Sequence, residues 1–160
     1  MNCSVHRHPR FLIMIRCIQL ILLLLSSVAL HAEAVRTVRD FGAVGDGKQD
    51  DTEAIQKAFA AGGGASFPPG RYRLTRTLRI ELDKVGPVAI TGHGATLEMA
   101  GGGPAIHLVG TVQRTAAPAD FPKDFWAKQA GVSVTGIDFV GAHPDSVGLQ
   151  ITRTMQLTVS

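Results

Sequence analysis

The chain has 160 residues, 45% of them apolar, and a formal net charge of +3. That length accommodates one domain, and the apolar share excludes a wholly disordered or low-complexity chain. The charge is unevenly placed. Without residues 1–34, Lys+Arg falls from 16 to 13 and Asp+Glu from 13 to 12, leaving +1, so the basic balance reflects the leader and implies no nucleic-acid partner.

The first 34 residues read as a signal peptide. Arg7, Arg10 and Arg16 are positive, Leu20 to Leu30 is largely apolar, and Ala32-Glu33-Ala34 offers a cleavage site before Val35. Met14 is an alternative start that makes a tidier leader. An uncleaved anchor is the rival reading. The apolar run is short for a span, and Arg16 and Gln19 interrupt its upstream extension. The chain is therefore expected to be secreted, periplasmic or held at the cell surface, touching the membrane only through the leader. Cys3 and Cys17 both lie in that leader, so the exported part carries no disulfide.

From Val38 to Phe59 the chain reads as a short strand, a glycine-rich turn and an amphipathic helix. Gly42, Gly45 and Gly47 permit tight or left-handed backbone, and Asp46 suits a turn. Asp50 followed by Glu53 has capping-box spacing, which predicts Asp50 as the N-cap. Ala54, Ile55, Ala58 and Phe59 share one helical face, and Gly62-Gly63-Gly64 ends the helix. A short helix with one apolar face must cover something apolar, and the chain beyond Gly64 is strand-like.

Ala65-Ser66-Phe67 reads as a strand and Pro68-Pro69-Gly70 as a turn. Tyr72 to Leu74 and Leu78 to Ile80 are further short strands, with Arg71, Arg73, Arg76 and Arg79 interleaved among apolar residues. That alternation fits a solvated outer face, and less well a basic stripe facing carbohydrate.

These residues carry a resemblance. Asp40-Phe41-Gly42-Ala43, Gly45-Asp46-Gly47, Asp50-Asp51-Thr52 and then Phe67-Pro68-Pro69-Gly70-Arg71-Tyr72 resemble the opening of the pectate-lyase superfamily, which includes polygalacturonase-like, rhamnogalacturonase-like and epimerase-like proteins and phage tailspikes. The resemblance covers Val35 to Leu97 by motif and the rest by pattern. It implies an all-β domain over residues 35–160, a right-handed parallel β-helix with a short N-terminal capping α-helix.

The second half contains an internal repeat. Val88-Ala89-Ile90-Thr91-Gly92 is echoed by Val132-Ser133-Val134-Thr135-Gly136, and Ala105-Ile106-His107-Leu108 by Gly148-Leu149-Gln150-Ile151. Met155-Gln156-Leu157-Thr158 restarts the first pattern 23 positions after Val132 (155 − 132). Val132 lies 44 positions after Val88 (132 − 88), about twice one coil, which predicts a coil carrying a loop rather than an intervening coil. Thr111 to Ala130 is that loop. It holds Phe121, Phe125 and Trp126, whose rings either pin the loop to the wall or stack on sugar; Trp126 and Phe125 are the substrate-binding candidates.

Asp46, Asp50 and Asp51 form an acidic cluster, but turn and cap duty explains them better than a metal does, and no metal site is expected. Gly92-His93-Gly94 is expected to be a corner, with no catalytic role for His93. His107 and Asp138 should point outward, His107 near Gln150. His143, Asp145 and Arg153 fall in or beside turns. Asp138, Asp145 and Arg153 have chemistry suited to uronate or glycoside cleavage, yet no motif selects a catalytic residue. The chain stops in mid-strand by its own pattern at Ser160, which predicts the N-terminal part of a longer protein. The resemblance implies an exported protein that cleaves an acidic polysaccharide by hydrolysis or β-elimination, with calcium a possible cofactor if it is a lyase. A carbohydrate-binding or adhesive β-helix, or an inactive fragment, is the alternative.

Overall fold

A computed structural model describes residues 36–112, 123–124, 127, 131–154 and 156–160. The expected leader lies outside them. Val35–Ser160 forms one compact unit.

The start of this unit differs from the expected strand. Only Thr37 bridges to the sheet, opposite Ser66, and Val38–Phe41 is a 3-10 turn. The reason is a local cap: the Thr37 amide donates to Asp40 Oδ2 (2.8 Å) and the Asp40 amide to the Thr37 carbonyl (3.1 Å). Strand β1, Asp46–Asp50, then occupies what reads as turn sequence. Asp46 still makes the expected turn, accepting the amides of Lys48 and Gln49, both at 2.9 Å. β1 pairs with the strand Gly70–Leu74 only at Asp46↔Arg71 and Asp50↔Arg73, with a bulge between.

Helix α1 spans Thr52–Ala60, one residue later than an Asp50 cap requires. Asp51 holds the N-cap position without capping through its side chain. Asp50 instead receives the Thr52 amide (3.0 Å), the Thr52 hydroxyl and the Thr75 hydroxyl (2.6 Å). Glu53 does not reach back; it lies 3.5 Å from Arg76. The apolar face is as expected, with Ile55, Ala58 and Phe59 buried and Ala54 partly so.

Beyond α1 the chain alternates between two parallel sheets. The first has the order β1-β3-β5-β7-β9, with β2 also on β5, and the second β4-β6-β8. Their ranges are β2 Gly64–Phe67, β3 Gly70–Leu74, β4 Leu78–Glu81, β5 Ala89–Met99, β6 Gly103–Val109, β7 Ser133–Gly141, β8 Ser146–Thr152 and β9 Thr158–Val159. A four-residue helix α2, Leu82–Val85, links β4 to β5. β5 is long enough to pair with β2 through Ala89–Gly92 and with β3 through Ala95–Met99. It bends between these halves at Gly92-His93-Gly94, and β7 repeats the bend at Gly136. A Cβ on Gly136 (φ 65°) would lie 1.9 Å from the Gly92 carbonyl oxygen, so the corners stack only as glycine on glycine.

The repeat is a register. Ile90 pairs with Val134, Ile106 with Leu149 and His107 with Gln150. β5 therefore lies directly against β7 with no coil between them, while most of the expected loop lies outside the described residues. The last repeat needs a correction. Ser133 pairs with Thr158, a step of 25 (158 − 133), so Leu157 rather than Met155 is the counterpart of Val132. The aliphatic-polar alternation of Leu157-Thr158 fits either phase by sequence, and only the hydrogen-bond ladder selects one.

The core runs between the sheets. Leu74, Leu78, Ile80, Ile90, Leu97, Ile106 and Leu108 are buried completely or nearly so. Each such side chain contributes about 1.5–3 kcal/mol of transfer free energy. Phe67 meets the Tyr72 ring edge-on, centroids 5.4 Å apart, and the Tyr72 hydroxyl donates to the Pro68 carbonyl (2.9 Å). Towards β7, β8 and β9 burial declines: Ile137, Phe139, Leu149 and Leu157 are only partly buried.

Candidate functional site

Strand alternation decides what the second sheet shows to solvent. On β4, Leu78 and Ile80 face the core, so Arg79 and Glu81 face out. Parallel pairing then sets Arg79, His107 and Gln150 in one outward row. Where β4, β6 and β8 end, Arg79 of this row and Glu81 border a cleft of about 370 Å³. Arg79, Glu81, Asp83 and Lys84 line it together with Val109, Gly110, Thr111 and Arg153.

The charges in the cleft are partly matched. Arg79 Nε donates a hydrogen bond to Glu81 Oε1 at 2.9 Å, and Glu81 Oε2 pairs with Lys84. Lys84 first, and Arg79 second, hold the Glu81 carboxyl below its ordinary range, and Glu81 in turn raises Lys84. Arg153 has no carboxylate partner among the described residues. The cleft therefore holds three cationic side chains against two anionic ones.

Arg153 also has an unusual backbone, with φ at 57°, in the left-handed region. Its carbonyl accepts the Val112 amide (3.1 Å), while the Thr152 carbonyl accepts the Gly110 amide (2.8 Å). Two successive carbonyls at the end of β8 thus hold the root of segment 113–130. Phe121, Phe125 and Trp126 belong to that segment and lie outside the described residues.

His107 stands beside the cleft and shares a 3.0 Å hydrogen bond with the Thr152 hydroxyl. Burial, and then the Arg79 cation, lowers its pKa below the ordinary imidazole value of 6.5. Its ring is neutral at pH 7, and a neutral imidazole can accept a proton.

The other sequence candidates are elsewhere. Asp138 is exposed on β7 and follows Asp46, Arg71 and Thr96 along one outward row of the first sheet. In the adjacent row, Glu98 is engaged by Arg71. His143 and Asp145 shape a turn: His143 Nδ1 accepts the Asp145 amide (3.1 Å), and its carbonyl accepts the Ser146 hydroxyl (2.7 Å). His93 is an exposed corner residue. Of the arginine stripe, Arg71, Arg76 and Arg79 pair with Glu98, Glu53 and Glu81, as a solvated outer face would.

The acidic cluster does not fit calcium. Asp51 is fully buried, and its two oxygens accept the amides of Val44 (2.7 Å) and Gly45 (3.0 Å). Asp46 and Asp50 are likewise committed to amides and hydroxyls. Among the described residues no group of three His, Cys, Asp or Glu side chains converges to hold a metal. No helix among them is long and apolar enough to cross a membrane.

Sequence reasoning named Arg153 but missed Glu81, Asp83 and Lys84. The charged run Glu81-Leu82-Asp83-Lys84 between two strands was their only local signal. Nothing local announces the left-handed Arg153, because the usual glycine or asparagine is absent.

The cleft can attract an anion and offers polar groups to hydroxyls. Known proteins narrow the reading. A segment of the chain is 43% identical over 58 residues to the pre-neck appendage protein of Bacillus phage B103, covering 36% of this chain and 6% of that protein. Over 43 residues the chain is 56% identical to mannuronan C5-epimerase AlgE5 of Azotobacter vinelandii, 24% of this chain and 4% of the relative. Alginate lyase 7 of the same organism is 54% identical over 43 residues, 24% and 5%. The matched segments thus span only a small part of these relatives. Among solved structures, the ORF18 protein of Geobacillus virus E2 superposes with a TM-score of 0.54 at 20% identity, over 93% of this chain and 28% of that one. That likeness concerns the fold alone. The family described as rhamnogalacturonase A/epimerase, pectate lyase-like, matches residues 35–139, which hold helix α1, strands β1 to β6, most of β7 and the stacked glycine corners. The chain belongs to that family.

Proposed function

We propose that this chain belongs to an exported protein that acts on or binds an acidic polysaccharide along a right-handed parallel β-helix. The observation that carries the reading is the cationic cleft at the root of segment 113–130. The relatives named for mannuronan and alginate support the substrate class, since both polymers are built of uronic acids. In the whole protein, cleavage by hydrolysis or β-elimination is the leading activity. Trp126 and Phe125 would supply rings on which sugar faces stack. Export by the leader 1–34 would bring the protein to such polymers.

A second reading is adhesion without catalysis. The similarity to a phage appendage protein favours it. The two separate in one experiment. The whole protein is incubated with alginate, polygalacturonate and dextran, and new reducing ends, unsaturated uronates and retention on polymer-containing gels are measured. New ends or unsaturated products establish the enzyme. Retention without products establishes the adhesin. Neither products nor retention on any of the polymers overturns the polysaccharide reading. Trp126→Ala should weaken retention several-fold, and unchanged retention would remove that residue from the binding surface.

A further inference from the structure

We infer that Arg153 is the residue of this cleft that recognises the carboxylate of a uronic-acid unit. The inference rests on the polysaccharide reading and sharpens it to one group. Three observations carry it. First, Arg79 and Lys84 both pair with Glu81 and Lys84 also feels the Asp83 charge, whereas Arg153 has no carboxylate partner among the described residues, so the net positive charge of the cleft is left to its guanidinium. Second, Arg153 is held in a backbone conformation that costs an L side chain stability. Glycine serves that geometry better, and no described contact of the Arg153 side chain repays the strain. Third, the same residue anchors Val112 through its carbonyl, so its position relative to the loop root is fixed.

A guanidinium suits this task. Its planar fork donates two parallel hydrogen bonds to a carboxylate and cannot lose its charge near neutral pH. The cleft, about 370 Å³, falls in the range of roughly 300–1,000 Å³ typical of small-ligand sites. Asp83, exposed at its rim, can accept sugar hydroxyls but would repel a second carboxylate placed beside it. One cation for the acid group, with an acceptor for hydroxyls nearby, matches a single uronate rather than a sulfate-dense or neutral chain.

The test uses the full chain and Arg153→Gly. Glycine removes the guanidinium and relieves the strain, so the variant should fold. Binding is measured by calorimetry with oligomannuronate, oligogalacturonate and their carboxyl-reduced counterparts. The wild type should bind the acidic oligomers at least tenfold more tightly than the reduced ones. Arg153→Gly should lose that preference while its melting temperature stays within a few degrees, and Arg153→Lys should keep part of it. Uronate preference retained by Arg153→Gly overturns the inference and leaves the polysaccharide reading standing. Equal wild-type binding of acidic and reduced oligomers does the same. Wild type that binds no oligomer or polymer at all overturns both.

Discussion

The Gln56 side chain pairs with both backbone groups of Arg79. Its Nε2 donates to the Arg79 carbonyl (2.9 Å) and its Oε1 accepts the Arg79 amide (3.0 Å). A helix side chain thus imitates a neighbouring strand along the otherwise open edge of β4. Thr52 Oγ1 does the same for the Thr75 amide (3.0 Å). An open edge of this kind is a template for pairing with another chain. Gln56→Ala should therefore cost about 1–2 kcal/mol and promote self-association. Urea unfolding and light scattering check both effects, and a variant as stable and monodisperse as wild type would show that the edge needs no cover.

Asp51 ties the glycine turn to the start of α1. Its buried carboxylate is matched by the Val44 and Gly45 amides rather than by a cation. Asp51→Ala leaves both amides unpaired and should destabilise by about 3 kcal/mol, while Asp51→Asn retains one acceptor oxygen and should cost roughly half that. Chemical denaturation measures the order. Equal losses would mean that charge, not the second acceptor, matters.

The corner glycines admit no Cβ. At Gly136 the new atom would sit 1.9 Å from the Gly92 carbonyl oxygen, in a backbone with φ of 65°. Gly136→Ala should cost at least about 3 kcal/mol, combining overpacking with a left-handed backbone. Gly42→Ala serves as the control: it is also left-handed, with φ at 99°, but meets nothing within 4 Å, so its loss should stay at about 1–2 kcal/mol. Similar melting temperatures for the two variants would refute a steric role for the corner.

Two pH windows should appear in the stability curve. His107 has a depressed folded pKa, so the unfolded chain binds its proton more readily. Its contribution is complete above the unfolded value of 6.5 and is lost as pH falls through the folded value. Asp40, Asp46, Asp50 and Glu81 are depressed too, and their contributions are lost only below the ordinary carboxylate values of 3.8 and 4.5. For Asp50 burial is the largest single effect and opposes the carboxylate, but the hydrogen bonds from Thr52 and Thr75 together outweigh it. Melting temperature against pH should show a shallow decline below pH 6.5, absent in His107→Gln, and a steeper one below pH 4.5 in both proteins. A His107→Gln profile identical to wild type would contradict the first window.

Much of this molecule obeys local rules. Ile55, Ala58 and Phe59 are spaced for one helical face, Arg71, Arg73 and Arg79 alternate with Tyr72, Leu74 and Leu78, and Val88–Gly92 repeats as Val132–Gly136. Periodicity reports which face is buried, so the amphipathic helix, the short strands after it and the stacking of β5 on β7 could be read directly. The family landmarks, Asp40 to Thr52 and Phe67 to Tyr72, were legible for the same reason. What the sequence could not decide depended on partners distant along the chain. The spacing of Asp50 and Glu53 predicted Asp50 as the cap, but Thr75 and Arg76, delivered by a later strand end, engage these two side chains instead. Leu157 and Met155 offered two registers, and the ladder to Ser133 selected one. The cleft gathers residues from β4, α2, β6 and the chain after β8, more than seventy positions apart from Arg79 to Arg153 (153 − 79). Each of those side chains is an ordinary surface charge by sequence. Only parallel stacking brings their strand ends together and leaves one guanidinium without a partner.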